Sequence, residues 1–142
     1  WFKNAAVPLI VTSVGFGLLH GFNPEVEKLG RLILLYYIGT GFLFGILTLM
    51  DEGMELALGM HAANNIVAAL FVTVQWAAFQ TDAVLKDVSE PDLGMEMFLP
   101  VFVVYPIVIY FLSKKYGWTQ WKKRLFGKIS EPPTYEEHQT DA

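Results

Sequence analysis

No cysteine occurs in this 142-residue chain, which excludes disulfides, thiolate zinc sites and cysteine nucleophiles. Charge is scarce, at 17% of residues, and it nearly vanishes from the longest apolar stretches. Between Met54 and Gln80 the only formal charge is Glu55. The helix of a soluble protein carries a charged face, and this segment has none. Apolar and polar residues do not alternate, over runs far longer than a strand, so β structure is disfavoured. Basic residues interleaved with aromatics are confined to 113–128, so no face for nucleic acid exists elsewhere. The soluble-enzyme signatures are missing too: there is no HExxH, GxSxG, P-loop or GxGxxG.

What the chain does have is 54% hydrophobic residues, gathered in four stretches: 5–22, 29–50, 54–79 and 97–112. A bilayer core of about 30 Å needs about 20 residues of helix. Three stretches meet or approach that length, and the fourth is shorter but uncharged. These lengths predict an all-α, polytopic transmembrane helical bundle with about four membrane helices in this chain. Residues 1–128 are assigned to the membrane helical domain, and 129–142 to a polar, proline-containing tail of disordered composition. His138 lies in that tail and is given no role. The chain opens on Trp1 rather than methionine, so it is expected to be processed or to be a piece of something longer.

Local signals refine this outline. The "GTG" at 39–41 is a candidate break, which would lay 24–37 along the interface and leave a short membrane helix from Thr40 to Met50. Asp51 and Glu52 are expected to open the third helix, where carboxylates suit the N-terminal dipole. Pro100 and Pro106 predict a loosened fourth helix. The basic cluster at 113–128, with Trp118 and Trp121, is expected to form a cytoplasmic anchor at headgroup level.

Polar side chains within apolar segments are costly without partners or a task. His61 and Asn65 are four apart, so on a helix they share a face, about 6 Å apart along the axis. Phe16 and His20 have the same spacing. Asn64 points about a hundred degrees away from Asn65. Two imidazoles and one carboxamide between helices would form a polar pocket in an apolar wall. Imidazole exchanges protons near neutral pH, and a carboxamide NH₂ donates to a developing oxyanion. Together they suit amide hydrolysis by an activated water. The plainer alternative is that each histidine only hydrogen-bonds between helices. Two histidines and an asparagine fall short of a good zinc site, which wants a further imidazole or carboxylate.

"FGLLH" at 16–20 fits FxxxH, and "HAANN" at 61–65 fits HxxxN. In this order, on membrane helices, the two motifs resemble the CAAX protease and bacteriocin-processing (CPBP/Abi) family of intramembrane proteases. The segment "GFLFGILTLMDEGMELALGMHAANN" resembles the family's glycine-punctuated helix, charged turn and HxxxN helix. The resemblance covers roughly 5–80. It implies an intramembrane endopeptidase in the bacterial cytoplasmic (inner) membrane, acting on prenylated or other membrane-associated peptides. It implies that His20, with a glutamate from an upstream EExxxR motif, activates a water. His61 and Asn65 would stabilise the oxyanion, and Phe16 would shape the substrate pocket. The departure is the EExxxR motif, which this chain lacks, so the chain alone is expected to be an inactive C-terminal portion of a larger protease domain. The sequence requires no cofactor, and the resemblance leaves a divalent metal open. The competing functions are a non-enzymatic bacteriocin self-immunity or scaffold protein of the same fold, and a proton-relaying transporter subunit.

Overall fold

The computed structural model describes residues 3–129. The tail, apart from Ile129, and with it His138, lies outside the described residues. The order is α1 (Ala6–Leu19), α2 (Pro24–Leu29), α3 (Leu34–Asp51), α4 (Glu55–Phe71), β1 (Val72–Val74), β2 (Leu85–Asp87), α5 (Tyr105–Tyr116) and α6 (Trp121–Phe126).

Helix α3 is the central element. Its 18 residues rise about 27 Å, and α1, α4 and α5 pack against it. The expected break at 39–41 does not occur: the helix runs through Gly39, Thr40 and Gly41. The backbone breaks instead at Gly30, whose φ of +80° lies in the left-handed region that glycine tolerates. Gly41 does another job. A Cβ there would stand 2.6 Å from the Ser13 carbonyl oxygen, so only glycine lets α1 approach α3 this closely. The stretch 24–37 is thus divided at Gly30 between the short α2 and the start of the long apolar helix Arg31–Asp51, and is not one interfacial rod.

Among the described residues, two segments are long and apolar enough to cross a bilayer: Arg31–Asp51 and Met95–Tyr116, each with a mean hydropathy of 2.0. Ala6–Phe22 is apolar but shorter. The four spans expected from hydropathy therefore reduce to two that meet the length criterion. The third apolar stretch leaves the helix after Phe71, where Val72, Thr73 and Val74 are extended and pair in parallel with Leu85, Lys86 and Asp87. These β-branched residues favour strand over helix. Thr73 is buried, donates to the Phe79 carbonyl at 3.2 Å and accepts the Thr81 N–H at 3.2 Å. This small two-stranded sheet departs from the all-α expectation, in which strands are disfavoured. The fourth stretch begins earlier than expected, with a 3₁₀ turn at Met95–Phe98 and a π-helical turn at Pro100–Val104. Pro106 lacks the N–H that an α-helical ladder would use there.

Asp51 ends α3 rather than opening α4, and Glu52 caps it in a left-handed conformation, φ 57°. The end is covered from the C-terminal segment. Arg124 Nη1 donates to the Met50 carbonyl at 2.7 Å and lies 3.4 Å from Glu52. Trp118 Nε1 donates to Asp51 at 3.3 Å. The Arg124 bond satisfies one of the carbonyls that a helix C-terminus leaves open, and the other two contacts hold the carboxylates of Asp51 and Glu52. Trp118 is buried with Leu43, Leu47, Met50 and Ala57, so it serves the core rather than the headgroup layer.

The close α1–α3 approach gives a first prediction. Gly41→Val should force the two helices apart and cost about 1–3 kcal/mol, as overpacking does. A thermal melt in detergent should show the lowered midpoint, and an unchanged midpoint would contradict the packing described.

Candidate functional site

The antiparallel packing of α1, α3 and α4 brings the two motifs together. Phe16 touches both histidines: ring centroids lie 4.6 Å from His20 and 5.6 Å from His61. The two imidazoles are therefore no farther apart than those two distances joined end to end. His20 is also stacked on Tyr37 at 4.5 Å and 21°. His61 is stacked on Phe44 at 5.1 Å and 21°. The result is one run of rings, Tyr37, His20, Phe16, His61 and Phe44, drawn from three helices.

No shortened second helix is needed for this meeting. His20 follows the C-terminus of α1, opposite the first turn of α3. His61 lies almost two turns into α4, opposite the middle of α3. Phe16 lies one turn back from His20 and bridges the difference in level. Asn65 lies one turn beyond His61, about 6 Å further along the axis, toward the level of His20. Asn65 is half-buried, as His61 is, whereas Asn64 is exposed. That difference follows the helical spacing.

His20 has a defined hydrogen bond. Its Nδ1 lies 2.7 Å from the Phe16 carbonyl, an acceptor, so Nδ1 carries the proton. In the neutral ring, Nε2 is then the free lone pair. The same bond satisfies a carbonyl in the last turn of α1, so the histidine has a structural task as well.

A cleft of about 410 Å³ adjoins this run of rings. Phe16, Phe44 and His61 line it, and it continues between the helices past Thr12, Gly45 and Thr48 toward Met54. Its walls are otherwise apolar. His20 and Asn65 lie outside its lining. Among the described residues no three His, Asp or Glu side chains gather as metal ligands. The two imidazoles with Asn65 fall short of the ligand set of a good zinc site, which wants a further imidazole or carboxylate. Glu55 opens α4 as an exposed carboxylate, apart from His61.

Two residues at the site carry no motif. Glu25 is 9% exposed. It accepts a short bond from the Tyr37 hydroxyl, one from Asn23 Nδ2 at 3.1 Å and one from the Ala78 N–H at 2.9 Å. Tyr37 in turn lies on His20. The visible signal was a carboxylate directly after Pro24, five residues past His20. No motif covers the segment 23–30, which hid it. Pro24 in fact starts a helix, a position proline suits.

Residues 1–67 match the profile of the family described as Type II CAAX prenyl endopeptidase Rce1-like. An uncharacterized protein, YyaK, of Bacillus subtilis (strain 168) is 32% identical over 71 residues, which cover 50% of this chain and 24% of that protein. The chain thus spans about a quarter of the length of this curated relative. No solved structure matches. Two helices among the described residues are long and apolar enough to cross a bilayer, and residues 1–67 are similar to the Rce1-like type II CAAX prenyl endopeptidase family.

Proposed function

We propose that the intact protein is an intramembrane endopeptidase that cleaves prenylated or other membrane-associated peptides, in the bacterial cytoplasmic membrane. The observation that carries this is the pair of histidines gathered on Phe16 at the side of an apolar cleft. In this mechanism Nε2 of His20 takes a proton from a water, and Nδ1 holds the ring by its bond to Phe16. A carboxylate from an EExxxR segment preceding these residues would share the orientation of that water. The hydroxide attacks the scissile carbonyl, and the carbonyl oxygen gains the negative charge. His61 and the Asn65 amide donate to that oxygen. Collapse of the intermediate breaks the C–N bond, and the proton held by His20 passes to the leaving amine. The hydrophobic surroundings strengthen each of these charge contacts.

The cleft beside Phe16 and His61 suits an apolar part of the substrate. Thr48 lines it and bonds only its own helix, to the Phe44 carbonyl at 2.9 Å. Thr48→Phe should therefore fill the cleft with little other damage. It should raise KM for a prenylated peptide by about 10-fold or more, the cost of one or two displaced contacts, and leave kcat within about threefold. An unchanged KM would remove the cleft from the account.

The test of the function uses the intact protein in lipid nanodiscs, with matched prenylated and unprenylated peptides. Mass spectrometry should find two fragments whose masses sum to the parent plus one water. Absence of any such pair, with protein shown to be folded, would overturn the proposal.

A further inference from the structure

A buried carboxylate next to a site needs a reason, because burying a charge costs free energy unless several bonds compensate. Glu25 has three such bonds, and they lead to three separate places. One goes to Asn23 in the connection from His20, one to Tyr37 in the first turn of α3, and one to the Ala78 backbone after β1. The last partner is not a loose strand of chain. Thr73 closes the 73–81 segment by its bonds to Phe79 and Thr81, and Thr81 Oγ1 ties it to the Ala69 carbonyl at 2.6 Å. Glu25 therefore joins α2, α3 and the segment leaving α4, the helix of His61 and Asn65.

The geometry points to Glu25 as a positioning residue that sets the His20 ring through Tyr37. The bond from the Tyr37 hydroxyl to Glu25 fixes the rotamer of the phenol. The phenol lies nearly parallel to His20, at 21°, and forms one wall against it. Phe16 also packs against the imidazole, tilted at 39°. With both rings against it the imidazole keeps one orientation, and the Nδ1 bond to the Phe16 carbonyl stays in line. Without the Glu25 bond, the phenol is free to turn and His20 loses one wall. Reacting groups misplaced by about 1 Å lose about 10²-fold in rate. The catalytic part of this inference rests on the proposed role of His20 in peptide hydrolysis, but the positioning itself does not.

The deciding variant is Tyr37→Phe, which keeps the ring and deletes only the hydroxyl, leaving Glu25 its bonds to Asn23 and Ala78. The protein is labelled with ¹³C-histidine in nanodiscs, and the His20 signal is identified by its loss in His20→Gln. In the parent, the stacked Tyr37 ring should displace the His20 ring signals upfield. Tyr37→Leu, which removes the ring, gives the undisplaced position. Tyr37→Phe should move the His20 signal toward that position while His61 stays in place, and Glu25→Ala should do the same. A His20 signal unmoved by Tyr37→Phe would overturn the inference, and so would an equal shift of His61, which would mean that the bond supports the bundle at large. In the cleavage assay, Tyr37→Phe should lower kcat about 10²-fold with KM unchanged. If the parent itself cleaves nothing, the proteolytic proposal fails, and the spectra still decide whether Glu25 and Tyr37 position His20.

Discussion

Replacing His61 by alanine should lower kcat of the intact protein about 10²- to 10³-fold, the usual cost of one lost oxyanion donor, while KM changes little. The reason is that His61 is the histidine that lines the cleft, and its stacking on Phe44 at 5.1 Å restrains the plane of the ring. A donor held in place before the reaction needs no reorganisation when charge develops. Asn65→Ala should produce a loss in the same range, because Asn65 is half-buried on the same face. Asn64→Ala should leave the rate within a factor of about two, because Asn64 is exposed and turned away. Steady-state rates with a fluorogenic peptide check all three. Equal losses for Asn64 and Asn65 would show that the face does not matter, and the assignment would fail.

The second large effect is at His20. His20→Ala should lower kcat/KM about 10²- to 10⁴-fold, the contribution typical of a positioned general base. A smaller structural loss should accompany it, because the Phe16 carbonyl loses its partner at 2.7 Å. One neutral hydrogen bond of this kind contributes about 0.5–1.5 kcal/mol. A thermal melt separates the two effects: the midpoint should fall slightly while the rate collapses. A rate loss that merely tracks the lost stability would assign His20 to helix capping alone. The histidine would then be the hydrogen-bonding residue that the plainer interpretation of the sequence allows.

The sequence made part of this architecture legible. Spacing alone put His61 with Asn65 and Phe16 with His20 on shared faces, and both pairs keep that relation in the helices. Apolar length alone overcounted the spans. Hydropathy does not register that Val72–Val74 are β-branched and have strand partners at Leu85–Asp87, so a helix was extended through them. Glycine was also misleading. Gly39 and Gly41 looked like a break, but their role is close packing, whereas the actual break is at Gly30, where only the backbone angle tells. Trp118 illustrates the same limit: a tryptophan beside lysines suits a headgroup anchor, yet here its ring fills the space against Leu47 and Met50. Glu25 was hidden for a different reason. Two of its three partners are 12 and 53 positions away in the chain, and no local pattern announces a contact at such range.

His20, His61 and Asn65 serve one intermediate in this account, so their removal should not be additive. The direct measurement is kcat/KM for His20→Ala, for His61→Ala and for the double variant, in the intact protein under one set of conditions. Groups that act as a unit lose nearly everything at the first removal, so the double variant should be no slower than the worse single variant by more than a few-fold. If the two losses instead multiply in full, as for independent sites, the histidines do not share one reacting centre and the central claim is wrong.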